Sequence, residues 1–120
     1  AAILVNESLG QLGGSAAQGW LYPNLVHTAA EAGIPAGVPG GARVVHKTGD
    51  MYGTENDAAD VSHGAVHYVL AVCVSGLDEP SGWNLVQRIS ARIWQYEVGR
   101  PDYPAPIIAS PAPGLHDARH

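Results

Sequence analysis

The chain has 120 residues, of which 46% are hydrophobic and 14% charged, a balance that excludes wholesale disorder and supports one small domain with one core. Its formal net charge is −5 and it has no basic patch, which excludes nucleic acid as the expected partner. No apolar run is long enough to span a membrane as a helix. No leader pattern precedes the first element, and the chain starts at Ala1 without Met, so that start reads as an internal boundary.

Residues Ala1 to Leu9 read as the end of an apolar helix, broken by Gly10 and by Gly13-Gly14. Ser15 and Gln18 have capping-box spacing. A second helix is predicted to run through Trp20, Leu21, Leu25 and Ala29 to Gly33, with a kink or split at Pro23. Ile34 to Gly41 is a Pro/Gly loop.

Three strands follow. Ala42 to Thr48 is the first, centred on Val44 and Val45. Gly49 to Glu55 reads as a turn, Asn56 to His63 as a second strand, and Gly64-Ala65 as a hairpin turn. His67 to Ser75 is a continuous apolar run, predicted to be a central strand buried on both faces. Within it lies Cys73, the only cysteine, so the expectation is a buried thiol and no internal disulfide.

Pro80 suits a helix first turn, with Asp78, Glu79 or Ser81 as cap. From there Leu85, Val86, Ile89, Ile93 and Trp94 form one apolar face, and Gln87, Arg88 and Arg92 fall mostly on the other. This helix is predicted to end near Glu97. Residues 98–120 form a Pro/Ala-rich tail without periodicity, extended or disordered, in which His116 and His120 read as solvated. With Phe absent, aromatic core volume must come from Trp20, Trp83, Trp94 and the tyrosines. The fold class is α+β: three antiparallel strands with a C-terminal helix across one face. A single helix covers only one face, so the two-sided run at Val69 to Val74 expects more structure.

Chemistry concentrates at Lys47-Thr48-Gly49, which contains the only lysine of the chain. The ammonium offers a fixed charge to an anion, the Thr48 hydroxyl can bond a carboxylate, and Gly49 lets a substrate approach the backbone. The backbone N–H of Asp50 can face a developing oxyanion, a donor worth roughly 3–4 kcal/mol in a transition state.

In this setting the chain resembles the class A β-lactamases and related penicillin-recognising serine hydrolases, whose signatures are Ser-x-x-Lys, Ser-Asp-Asn and Lys-Thr-Gly. The stretch IPAGVPGGARVVHKTGD (34–50) is similar to the family's loop and third strand. ENDAADV (55–61) looks like its fourth strand, HYVLAVCVSG (67–76) its fifth, and the amphipathic helix its last. The resemblance implies that residues 1–97 are the C-terminal part of a β-lactamase-like (transpeptidase-like) α/β sandwich domain. It implies Lys47 and Thr48 on the substrate-carboxylate side of the site and the Asp50 N–H as half of an oxyanion hole. It further implies acylation of a Ser by a β-lactam or related amide or ester, hydrolysis of the acyl-enzyme, no cofactor, and a periplasmic or secreted location.

No Ser in the chain has Lys three residues later, there is no Ser-Asp-Asn, and the family's deacylating Glu has no counterpart. The expected partner is therefore the N-terminal half of the same domain. Without it one sheet edge stays open, which invites a homodimer. Two features depart from the family pattern. Asp50 stands where a small or hydroxyl residue is common, and Glu55, Asn56 and Asp57 occupy the stretch where an Arg often reaches the carboxylate; Arg43 is the nearest arginine. His46, His63 and His67 lack the spacing of a zinc site and read as ordinary strand or surface histidines. His46 is expected to face away from Lys47. Met51 and Tyr52 read as exposed loop residues, and Trp83 and Trp94 as anchors of the last helix.

Overall fold

The computed structural model describes residues 1–100. The element order is α1 (Ala2–Ser8), α2 (Gly14–Leu21), β1 (Arg43–Met51), β2 (Thr54–His63), β3 (Val66–Ser75) and α3 (Glu79–Val98), with short 3-10 turns at Tyr22–Asn24 and Pro35–Gly37. The expected α+β arrangement is present: one antiparallel sheet of order β1-β2-β3, with α3 packed on one face.

Both hairpins are tight, and register is unbroken. Lys47 pairs with Ala58, Thr48 with Asp57 and Asp50 with Glu55 on one side of β2; Glu55 pairs with Val74 and Val61 with Tyr68 on the other. Gly49 to Glu55 is therefore not a turn, as the sequence suggested. The strands continue to Met51 and restart at Thr54, because Gly53 accepts φ 67° and reverses the chain in two residues.

Strand alternation places Val44, His46, Thr48 and Asp50 on one face with Val61, Ala59, Asp57 and Glu55. Val44, Ala59, Val61, Val72 and Val74 meet Ile34 and Val86 there to form the core. Full burial of a residue such as Val61 or Val86 is worth about 1.5–3 kcal/mol, so this face carries most of the stability. The buried stripe of α3 is Gly82, Val86 and Ser90, four residues apart, with Leu85, Ile89 and Trp94 half-buried beside it. Ser90 Oγ donates to the Ile34 carbonyl at 2.8 Å, tying α3 to the loop.

Several expectations are corrected. The central strand is β2; β3 lies at the sheet edge, because consecutive hairpins stack the strands in chain order. Cys73 is exposed, since Val72 and Val74 take the α3 face and the residue between them must point the other way. The second helix stops at Leu21, where Pro23 converts it to a 3-10 turn instead of letting it continue to Gly33. Gly13, at φ 99°, is the α2 N-cap, and Gln18 does not close a box: its Nε2 donates to the Glu7 carbonyl at 2.6 Å. Trp20 is 75% exposed and adds nothing to the core. Trp83 and Trp94 do pack against it, and α3 ends one residue beyond the expected Glu97. The tail from residue 101 onward, with His116 and His120, lies outside the described residues.

Candidate active site

The Lys47-Thr48-Gly49-Asp50 segment lies in the second half of β1, whose inner edge is paired to β2. The outer edge is defined by His46, whose backbone N–H donates to the Leu25 carbonyl at 2.9 Å. Main-chain groups leave a strand on the same side at every second residue. With the register unbroken, Thr48 and Asp50 direct their N–H and C=O groups to that same outer edge. Among the described residues the loop makes no main-chain bond to this edge beyond His46.

Lys47 and His46 leave the strand on opposite faces, as alternation requires: Lys47 is exposed and His46 is 1% exposed. The Lys47 side chain then turns to the outer edge, where its Nζ donates to the Thr48 carbonyl oxygen. The ammonium and the Asp50 N–H thus share one open edge. Thr48 is half-buried between them, and a Cβ on Gly49 would meet nothing within 4 Å, so the backbone is open to an approaching group.

Behind this edge lies a polar network that the sequence reading missed. His46 Nδ1 is 2.9 Å from Asp57 Oδ1, and its Nε2 is 3.1 Å from Thr28 Oγ1 and 3.4 Å from Glu31 Oε1. Asp57 Oδ2 accepts the Ile34 N–H at 2.8 Å. Burial alone would push the His46 ring down, but the hydrogen bond and charge of Asp57, and then those of Glu31, reverse this and hold its pKa above the ordinary value. Gly33 is required beside it, because a Cβ there would collide with the Asp57 carboxylate. Once the hairpin turn is placed at Tyr52-Gly53, His46 and Asp57 become diagonal neighbours on one face. That placement is the signal that would have found the pair.

The other histidines are engaged separately. His63 Nδ1 is 3.0 Å from the Gly41 carbonyl, and its ring meets Trp94 edge-on; His67 Nε2 is 2.7 Å from Asp60 Oδ1. Among the described residues no three His, Cys, Asp or Glu converge as metal ligands. Arg43 lies at the far end of β1, about 23 Å from Asp50 at strand rise, with its guanidinium 5.0 Å from the Tyr22 ring centre. It is not placed to reach a carboxylate held at Lys47. Asp50 is exposed and shares its face with its buried cross-strand neighbour Glu55.

The sheet is contacted by α1 as well as α3, and the Lys47 ammonium and the Asp50 N–H lie at the outer edge of β1 with Thr48 between them. The chain belongs to the beta-lactamase enzyme family, whose family model matches residues 5–97. Its fold is similar to the structure of PBP-A, with a TM-score of 0.71 at 23% identity over 80% of this chain and 37% of that one. It is also similar to a PBP-A point mutant solved as an acyl-enzyme complex with penicillin-G, with a TM-score of 0.62 at 25% identity over 73% of this chain and 35% of that one. The chain thus spans little more than a third of the length of these structures. No curated protein matches it. Among the described residues no helix is long and apolar enough to cross a membrane.

Proposed function

We propose that this chain provides the Lys-Thr-Gly side of the active site of a serine β-lactamase-like hydrolase, and that the N-terminal half of the same domain supplies the nucleophilic Ser, its Lys and the deacylating Glu. The substrate is a β-lactam or a related amide or ester carrying a carboxylate. The Ser oxygen attacks the carbonyl carbon, the C–N or C–O bond opens with a proton passing to the leaving atom, and water then hydrolyses the acyl-enzyme. Lys47 and Thr48 bind the carboxylate, Gly49 leaves room for the substrate backbone, and the Asp50 N–H is one of the oxyanion donors.

The observation that carries this reading is the shared outer edge of β1, where the Lys47 ammonium and the Asp50 N–H lie on the same side. Family membership and the similarity to the penicillin-G acyl-enzyme support it. The same membership supports a periplasmic or secreted location.

The test is to mix the chain with the N-terminal half of its domain and add a chromogenic cephalosporin. Turnover, or a covalent acyl adduct by mass spectrometry, is expected, and Lys47→Ala should slow acylation by about a hundredfold or more. Neither turnover nor adduct would sink the proposal. A second reading, a non-catalytic binding or structural module of the same family, is favoured by one observation: Asp50 and Glu55 place two carboxylates beside the site. A chain that joins its N-terminal half into a folded domain yet forms no adduct would decide for it.

A further inference from the structure

The loop that leads from the 3-10 turn at Tyr22–Asn24 to Ile34 is tied to the sheet at both ends. At its start the Leu25 carbonyl accepts the His46 N–H at 2.9 Å. At its end the Ile34 N–H donates to Asp57 Oδ2 at 2.8 Å. Among the described residues, 26–33 make no main-chain hydrogen bond to the sheet. The side-chain bonds from this middle part to the sheet pass through one atom, His46 Nε2, which meets Thr28 Oγ1 at 3.1 Å and Glu31 Oε1 at 3.4 Å. Thr28 Oγ1 and Glu31 Oε1 are themselves 3.4 Å apart, so the three atoms close a triangle. Within this span His27 holds φ 53°. That is the left-handed conformation, which a non-glycine residue adopts at a cost and keeps only where its surroundings impose it.

The triangle depends on one proton. In the imidazolium form both ring nitrogens donate. Nδ1–H then serves Asp57 Oδ1 at 2.9 Å, and Nε2–H serves Thr28 and Glu31. Thr28 Oγ1 accepts from the ring and from the Ala30 N–H, and gives its own proton to Glu31, so every donor is used. In the neutral ring Asp57 keeps the proton at Nδ1 and Nε2 becomes an acceptor. Thr28 must then turn its hydroxyl toward the ring, and Glu31 loses both donors and faces a lone pair. Its side chain is 44% exposed, so water can take it up. The charged groups facing the ring are Asp57 from β2 and Glu31 from the loop. Lys47 leaves β1 on the opposite face, and His27 of the loop is exposed. Burial lowers the pKa of the ring, but the bonds and charges of Asp57 and Glu31 outweigh it and leave the pKa raised. The doubly donating form is therefore the one present below the folded pKa.

We infer that His46 is a proton-operated clamp that docks the 25–34 loop on the outer edge of β1, next to Lys47, and releases the middle of that loop when the ring loses its proton. As regulation, the clamp rests on the reading of this edge as the carboxylate side of the site. A docked loop steadies the strand from which Lys47 and Asp50 act; a released one lets His27 relax and the edge fray. The isotopically labelled chain is followed by NMR from acidic to mildly alkaline pH. The His46 ring should titrate with a midpoint above 6.5, and the Thr28, Ala30, Glu31 and Lys47 amides should shift with that midpoint and not with that of His27. Protection of the His46 N–H against hydrogen exchange, corrected for the intrinsic rate, should fall several-fold across it. Glu31→Gln, at an exposed position, should lower the midpoint, because it removes a carboxylate that favours the charged ring. A ring that titrates while the loop amides stay still, protection unchanged with pH, or a midpoint unmoved in Glu31→Gln would each overturn the clamp. None of these readouts needs a nucleophile. A reconstituted domain that forms no acyl adduct therefore sinks the hydrolase reading and leaves the clamp itself standing, whereas acylation with one pH profile in wild type and Glu31→Gln does the reverse.

Discussion

At the scale of single residues, His46 holds more together than its neighbour Lys47. One imidazole joins Asp57 on β2 to Thr28 and Glu31 of the preceding loop, and Asp57 in turn fixes the Ile34 N–H. The loop and the outer edge of β1 are therefore positioned by the same buried ring. Removing it with His46→Ala leaves Asp57 buried with one partner fewer, and about 3 kcal/mol of stability should be lost in urea unfolding. The pH dependence has a definite sign. The folded-state pKa of His46 is raised above the ordinary histidine value of 6.5, so its contribution is fully present below that value and is lost as pH rises through the folded pKa. The advantage of the wild type over His46→Gln should thus be larger at acidic pH and shrink on the alkaline side of 6.5. A pH-independent difference would show that the ring acts by packing alone. None of this was legible from residue spacing, because a histidine and an aspartate eleven positions apart become partners only when the turn between them is placed correctly.

At the scale of elements, glycine and cap chemistry decide where the chain reverses and where α3 begins. Asp78 was among the candidate caps read from the sequence, and its side chain does accept the Ser81 N–H at 3.2 Å. That bond holds its carboxyl below the usual value, so its contribution is present above the unfolded value near 3.8 and fades as pH falls through the lowered pKa. Asp78→Ala should lower the thermal midpoint at neutral pH, while Asp78→Asn, a cap of equal quality, should lower it little. Gly82 reverses the ordinary rule for helices. Alanine is about 1 kcal/mol better in an exposed helix interior, yet here the added methyl meets the Glu55 side chain. Gly82→Ala should therefore destabilise by about 1–3 kcal/mol through overpacking, and calorimetry showing a gain instead would mean that Glu55 can move aside.

At the scale of the whole molecule, α3 covers one sheet face, while Ala71 and Cys73 on the other face of β3 stay exposed. The outer edge of β3 is unpaired among the described residues. Such an edge is a template for another strand, so the chain alone should sediment as a concentration-dependent dimer, and Ala71→Lys should shift it toward monomer. A monomer at every concentration, unfolding in one cooperative transition, would contradict this. The sequence by itself determined the element types, the three-strand α+β plan, the family, and the position of Lys47 opposite His46, because all of these follow from local periodicity and from residues close together along the chain. Only the tertiary structure decided that β2 and not the most apolar strand is central, that Cys73 faces outward, that His46 is bonded to Asp57, and that the Lys47 ammonium and the Asp50 N–H share one edge. Those outcomes depend on hairpin register and on which face α3 takes. A shift of one residue in either turn would exchange every inward and outward side chain without altering the apolar pattern along the chain.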